Sequence, residues 1–395
     1  MSQSFRRHIA AQIAKLRSKK RLRTYDKRSS PQGAQIILSG KQYVNFSSND
    51  YLGLSNDPLV LNRVRHELSN FGFGTGSAPL LSGFSNLHQE LITSLCEFTG
   101  TEDGLLFSSG YLANVGVLQA LVSRKDVVFH DRLNHASLID GVITSKAKHI
   151  RYPHLTTPNV RAFGEDGARK KFLVTESVFS MDGDRALLGD LAAYCQENDL
   201  VLYVDDAHGF GVTNEGLGAA AEFPMQGSGP EIFLMITFGK ALGSMGAAIL
   251  GNTSSIGYLR HCCRTSVYDT ALATPAVAAA LEALHIIRSK PAVLHDLRRN
   301  IETFKKASAE RGLLLSGDST PIQPILINDP DGALLLEQGL RDRGFYVPSI
   351  RPPTVPSGSE RLRVTITAKH SESQIQSLVG TIAELLDEIS FSRSP

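Results

Sequence analysis

The sequence has only four cysteines, Cys96, Cys195, Cys262 and Cys263, none spaced C-x-x-C and none with histidines at metal-ligand spacing. This spacing argues against a disulfide framework and a zinc site, and a reducing cytosol fits. It also lacks any run of 18 apolar residues, and its N-terminus lacks the apolar stretch of a signal peptide. The expectation is a cytoplasmic protein that neither spans a membrane nor is secreted. Net charge is small, +2, which by itself argues for neither nucleic acid nor membrane as partner. The glycines of Phe71-Gly72-Phe73-Gly74-Thr75-Gly76-Ser77 lack the G-x-G-x-x-G spacing, and no P-loop lysine follows them, so nucleotide fingerprints fail. A flexible backbone approaching a ligand or a subunit is what remains. There is no internal repeat and no low-complexity tract.

What is present is a chain of 395 residues, 42% hydrophobic and 20% charged, too long for one ordinary core. Its charge is unevenly spread. Residues 1–28 hold ten basic residues against the single acid Asp26, a local +9, so the rest of the chain carries −7. Within this arm Phe5, Ile9, Ile13 and Leu16 recur at helical spacing, which predicts an amphipathic helix over 4–20. A nucleic-acid arm, a membrane-surface helix and a transit peptide are the functional readings of it. The default is a solvated arm packed on its own protein or on a partner subunit.

Residues 34–47 alternate as two strands about Ser39-Gly40, a hairpin. From about 104 to 250, short apolar runs alternate with helical patterns, which predicts a mostly parallel sheet covered on both faces. Gly104-Leu105-Leu106-Phe107 leads into Ser108-Ser109-Gly110-Tyr111-Leu112-Ala113-Asn114, a small-residue turn opening a helix, the ordinary way to hold a phosphate. Asp126 to His130 runs into Asp131-Arg132-Leu133-Asn134-His135-Ala136-Ser137, and Lys171 to Glu176 runs into Ser177-Val178-Phe179-Ser180-Met181-Asp182-Gly183-Asp184. Beyond a helix at 275–289 the pattern changes to a smaller α+β unit, with a proline-rich extended loop at Ile350 to Pro356. Three segments are expected: 1–50 with the basic helix and hairpin, 51–289 as the large domain, and 290–395 as the C-terminal α+β domain.

Two strands frame the chemistry. Val201-Leu202-Tyr203-Val204 delivers Asp205 and His208, and Ile232-Phe233-Leu234-Met235-Ile236 delivers Thr237 and Lys240. An acid, an imidazole and an amine at neighbouring strand tips suit a carbonyl cofactor that a lysine can carry, provided the tips share one crevice. For each residue the bland alternative is plain: a helix cap for Asp205, a turn histidine for His135, a surface lysine for Lys240.

Thr175-Glu176 through Asp184, Asp205-Asp206-Ala207-His208-Gly209 and Thr237-Phe238-Gly239-Lys240 together resemble the α-oxoamine synthases, fold-type-I pyridoxal-phosphate transferases. Ser48-Asn49-Asp50-Tyr51-Leu52-Gly53 and Asp131 to Ser137 extend the likeness over nearly the whole chain. Ile350 to Pro356, followed by Arg361-Leu362-Arg363, looks most like the biotin-pathway branch. The resemblance implies an acyltransferase that joins L-alanine to a pimeloyl thioester, carried on coenzyme A or acyl carrier protein, with loss of carbon dioxide.

The resemblance also implies roles. Lys240 would carry pyridoxal phosphate and act as the carbanion base, Asp205 would face the pyridine nitrogen, and His208, with Ser180 nearby, would face the phenolic oxygen. His135 would stack on the ring. Gly110, Tyr111 and Thr237 would hold the phosphate, with Thr270 lent by the partner of a homodimer. Asn49, Arg351 and Thr354 would hold substrate, and Arg23 would face the thioester. Departures at Ser77-Ala78-Pro79 and at Ala247 mark a reshaped acyl pocket. The competing readings are a sister synthase using glycine or serine, an aminotransferase on the same fold, and a nucleic-acid or membrane binder acting through the arm.

Overall fold

The computed structural model describes residues 2–18, 21–22, 24–160, 170–225, 227, 229–315 and 317–392. Helix α1 (Ser2–Ser18) precedes the hairpin of β1 (Gln35–Leu38) and β2 (Lys41–Asn45). Ser39 and Gly40 turn that hairpin at φ 50° and 83°, two left-handed residues whose twist suits paired strands. Next come α2 (Pro58–Phe71) and α3 (Asn86–Thr99). The alternating region follows as β3 (Asp103–Phe107), α4 (Gly110–Leu121), β4 (Val127–Asp131), α5 (Ala136–Ser145), β5 (Lys148–Tyr152), β6 (Lys171–Glu176), α6 (Leu188–Glu197), β7 (Val201–Asp205), β8 (Ile232–Thr237) and β9 (Ala247–Gly251). Helices α7 (Thr253–Cys262), α8 (Arg264–Val267), α9 (Thr274–Ser289) and α10 (Ala292–Glu310) lead to the C-terminal unit. That unit holds β10 (Ile322–Leu326), α11 (Pro330–Asp342), β11 (Phe345–Tyr346), β12 (Ser349–Ile350), β13 (Arg361–Thr365) and α12 (Glu372–Ser392).

Seven strands form one sheet in the order β3-β9-β8-β7-β6-β4-β5, in which β9 runs against both its neighbours and the remaining pairs are parallel. The reversal at β9 follows from the chain: only Phe238–Gly246 separate it from β8, too few residues for a parallel crossover. Strand side chains alternate between two cores. Phe129, Leu173, Leu202, Val204 and Leu234 pack on one face, and Val128, Phe172, Val174, Tyr203 and Phe233 on the other. Each such residue contributes about 1.5–3 kcal/mol by leaving water, so the strands read as unbroken apolar runs. This burial on both faces is what holds the strand tips still.

β11 pairs parallel with β2, which joins the N-terminal hairpin to the C-terminal unit. The His370 ring stacks on Phe46 with centroids 4.0 Å apart and strengthens the same junction. In the C-terminal unit β13 lies between β10 and β12, antiparallel to both. The segment at Ile350 to Pro356 is not extended as the prolines suggested. It turns, with Thr354 N–H donating to the Arg351 carbonyl at 3.1 Å, because proline fixes φ and leaves ψ free to reverse the chain. Helix α1 forms over most of the predicted 4–20, of which residues 19–20 lie outside the described residues, yet Phe5, Ile9, Ile13 and Leu16 all remain exposed, so its apolar stripe is not buried within the chain. Among the described residues, no helix is long and apolar enough to cross a membrane, and no cluster of histidine, cysteine and acid could hold a metal ion.

Candidate active site

β6 and β7 end on Glu176 and Asp205, which are in register, and β8 ends on Thr237 beside them. The chain after each tip is fixed by polar bonds inside the protein. Asp206, fully buried, accepts from the Ser177 hydroxyl and, at 2.7 Å, from Ala219 N–H, which anchors the turn that carries His208. Lys240 sits on the turn from Phe238 to Gly243, closed by Gly243 N–H donating to the Lys240 carbonyl at 2.9 Å. Gly243 has φ +59°, and a Cβ there would lie 2.3 Å from Ser55 N, so only glycine lets this turn press against the loop that follows Asn49.

These tips do share a crevice. A pocket of about 170 Å³ is lined by Gly110, Tyr111, His135, Asp205, His208, Thr237 and Lys240. Asn114, Ser137 and Glu176 complete its polar wall. Helix α4 presents its N-terminus there, with Ser109 as N-cap accepting from Leu112 N–H and no acid in the first turn. The leading N–H groups of a helix have no partner within it, so this end suits an anion. Tyr111 itself is exposed, its hydroxyl donating to Asp140. The Thr237 hydroxyl donates to the Gly246 carbonyl at 3.1 Å and would have to turn from it to meet a phosphate.

The electrostatics are those of a crowded interior. Burial lowers the Lys240 pKa to about 8, with Asp205 and Glu176 opposing that shift and Arg363 adding to it. Burial likewise pushes the Glu176 carboxyl well above its ordinary range, and the neighbouring Asp205 pushes the same way. His208 is held well below its usual value by burial and then by Lys240; its Nδ1 lies 2.5 Å from the Tyr51 hydroxyl. His135, at the mouth, is lowered by desolvation against the pocket wall, which Asp205 only partly offsets.

The remaining candidates lie elsewhere. Ser180 is not in the pocket wall; its carbonyl accepts from Arg363 Nε at 2.6 Å. Thr270 is exposed and lines a separate 400 Å³ cavity with Pro79, Leu80 and Ser108. Asn49 is met by Arg363, whose guanidinium donates to Asn49 Oδ1 at 3.3 and 3.4 Å, rather than by Arg351. Arg351 and Thr354 line a groove of about 650 Å³ between Arg21, Leu22, Thr24 and Asp26 on one side and α11 on the other. Arg23 falls outside the described residues. Ala247 is fully buried in the sheet and lines neither this groove nor the lysine pocket.

Asn114, Ser137, Glu176 and Arg363 carry no role that the sequence alone assigns, although each lies within one of its motif stretches. Signals were present: Asn114 is four residues after Gly110 on one helix, hence on the same face, and Ser137 stands two residues past His135 at a helix start.

The family model of aminotransferase class I and II matches residues 41–382. The 8-amino-7-oxononanoate synthase of Methylococcus capsulatus is 44% identical over 363 residues, covering 91% of this chain and 93% of that one. The chain belongs to the 8-amino-7-oxononanoate synthase family. A solved structure named as a member, from Francisella tularensis, matches with a TM-score of 0.74 at 28% identity, covering 88% of this chain and 99% of that one. A serine palmitoyltransferase from S. paucimobilis with PLP and myriocin bound matches at TM-score 0.88 and 26% identity, covering 97% and 98% of the two chains.

Like the rest of the 8-amino-7-oxononanoate synthase family, the chain is a fold-type-I pyridoxal-phosphate-dependent acyltransferase. The pocket fits that cofactor on donor chemistry. It offers an amine made nucleophilic by burial, a carboxylate for a pyridinium N–H, two imidazoles, and a helix N-terminus for the phosphate.

Proposed function

We propose that the protein condenses L-alanine with a pimeloyl thioester of coenzyme A or acyl carrier protein, releasing carbon dioxide and the free thiol, to give 8-amino-7-oxononanoate for biotin biosynthesis. The family membership supports the product. The observation that carries the chemistry is Lys240, lowered to about 8, in one small pocket with Asp205, Glu176, His135 and His208.

Bound in this pocket, pyridoxal phosphate supplies the electron sink for a carbanion at the amino acid's Cα. The protein does the rest. Asp205, held by Ala207 N–H at 3.0 Å and by Asn114, keeps the proton on the ring nitrogen. Gly110 and Tyr111 anchor the phosphate through the helix end. Lys240 takes the Cα proton at Nζ and later returns it. His135, at the mouth, donates to the thioester oxygen as charge develops there, which stabilises the attack. The C–C bond forms, the C–S bond breaks and the departing thiolate takes a proton from solvent. The Cα–carboxyl bond then breaks to release carbon dioxide, leaving its electron pair at Cα for the proton that Lys240 returns.

Asn49, Arg351 and Thr354 are assigned to substrate, and Arg23 to the thioester. The groove lined by Arg351 and Thr354 also has Arg21 and Arg341 in its wall against Asp26 and Glu337. Arg341 is paired to Asp26 at 2.9 Å, so the groove's positive charge toward an acidic acyl chain rests on Arg21 and Arg351. A homodimer is assigned as the working form: Thr270 beside an apolar cavity, and the uncovered stripe of α1, are surfaces that a second copy would close. Four free cysteines fit the cytoplasm.

Thiol release measured with alanine, glycine or serine against pimeloyl, acetyl and succinyl thioesters tests the assignment. Alanine with the pimeloyl thioester is expected to turn over fastest. No release with alanine overturns it, and amino-group exchange with a keto acid without thiol release would indicate an aminotransferase.

A further inference from the structure

The pocket wall contains a hydrogen-bond chain whose donors and acceptors can be assigned one by one. Tyr203 Oη donates to Asn114 Oδ1 at 2.8 Å. Asn114 Nδ2 then donates twice, to Asp205 Oδ2 at 2.7 Å and to Ser137 Oγ at 2.8 Å. The reverse amide orientation would set Asn114 Oδ1 against the Asp205 carboxylate, so the amide can face only one way. Ser137 Oγ lies 2.8 Å from His135 Nδ1, and Ser137 N–H donates to the same nitrogen at 3.3 Å. Tyr203, Asn114, Ser137 and Asp205 are all buried, at 0%, 1%, 1% and 4% exposure, so water does not compete for the bonds among these four.

With Ser137 Oγ already accepting from Asn114, its own proton is available for His135 Nδ1. The backbone N–H of Ser137 requires a lone pair on that same nitrogen. A proton on Nδ1 would face both donors. His135 is also the N-cap of α5, a helix of 10 residues, where the positive helix end opposes an imidazolium.

We propose that Asn114 and Ser137 are positioning residues that fix the tautomer of His135, with Nδ1 as acceptor and Nε2–H as the donor offered to the pocket. The same Asn114 amide orients Asp205. The two residues assigned to the ring's face and to its nitrogen thus share one anchor. The charged and titratable groups facing His135 are Asp205 and Glu176 from the strand tips, Lys240 and His208 from the following turns, and Asp140 on α5. A neutral donor beside Lys240 avoids the repulsion that a second cation would bring. The desolvation-lowered pKa of His135 agrees with this assignment. The inference rests on the functional reading above only for what His135 donates to.

The test is the imidazole nitrogen spectrum of the ¹⁵N-histidine-labelled, cofactor-loaded enzyme, with His135 assigned by its loss in His135→Asn. The expected result is a neutral Nε2–H ring that stays neutral below the pH at which a free imidazole takes up its second proton. In Ser137→Ala the tautomers mix and the ring titrates roughly one pH unit higher, while Ser137→Thr, which keeps the hydroxyl, restores the original pattern. In parallel, kcat of Ser137→Ala falls about tenfold with cofactor content and KM for alanine unchanged. An Nδ1–H ring in the wild type, or unchanged ring signals in Ser137→Ala, overturns the proposal. Absence of alanine-dependent thiol release in the wild type would overturn the function but not the tautomer, which the ring signals decide.

Discussion

Glu176 and Asp205 stand opposite one another at the tips of adjacent parallel strands, and Glu176 Oε1 accepts the backbone N–H of His135 at 2.5 Å. Burial, and then the charge of Asp205, favours the protonated form of Glu176. Glu176 is therefore an acceptor for the His135 loop, while Asp205 is held by Ala207 N–H and by Asn114. Glu176→Gln keeps both shape and carbonyl and is expected to unfold within about 1 kcal/mol of the wild type. Glu176→Ala, which opens a cavity and strands the His135 N–H, should cost about 2–3 kcal/mol in urea unfolding. Equal losses in the two variants would contradict this reading.

The cofactor-free enzyme should take up pyridoxal phosphate with a rate that rises through pH about 8, the value to which burial lowers Lys240. The sign follows from the amine: only neutral Nζ attacks a carbonyl, and it is neutral above that pH. A rate still climbing through pH about 10, as for a solvated lysine, would mean that Lys240 is not buried as described.

His154 bridges two acids, with Nδ1 2.9 Å from Asp131 and Nε2 2.8 Å from Asp184. Burial opposes its charge, but the two carboxylates prevail and raise its pKa to about 9. A raised folded-state pKa contributes stability that is complete below the unfolded value of about 6.5 and is lost as pH rises through 9. His154→Gln is therefore expected to destabilise by about 1–3 kcal/mol at neutral pH, and the gap should close near pH 10, read by thermal unfolding. Asp131 also holds Leu133 N–H at 2.8 Å, two residues before His135, so the same substitution should loosen that loop.

Thr270 lies outside the lysine pocket of its own chain. In a homodimer that lends it across the interface, Thr270→Ala weakens pyridoxal-phosphate binding about tenfold without altering subunit association, measured by cofactor titration and sedimentation. Unchanged cofactor affinity would remove Thr270 from the site.

The fold was legible where burial dictates sequence. Continuous apolar runs such as Phe172–Val174 and Leu202–Val204 announced strands covered on both faces, and Ser39-Gly40 announced its turn. The antiparallel β9 was not, because a run such as Ala248–Leu250 reads the same in either direction and only the shortness of the preceding loop decides it. The lysine pocket was legible through Asp205, His208 and Lys240, whose types are unusual at strand tips. Asn114, Ser137 and Glu176 were not, since polar residues that serve other polar residues look like ordinary caps until the distances are known. Arg363 went unread for a related reason: β13 alternates in sequence, yet Arg361 to Thr365 are all buried.

The central claim is tested most directly by following the products of one reaction, L-alanine with a pimeloyl thioester, over the cofactor-loaded enzyme. The expected result is carbon dioxide, free thiol and 8-amino-7-oxononanoate in equal amounts, all lost in Lys240→Ala. Thiol without carbon dioxide, or product formation that survives Lys240→Ala, would contradict it.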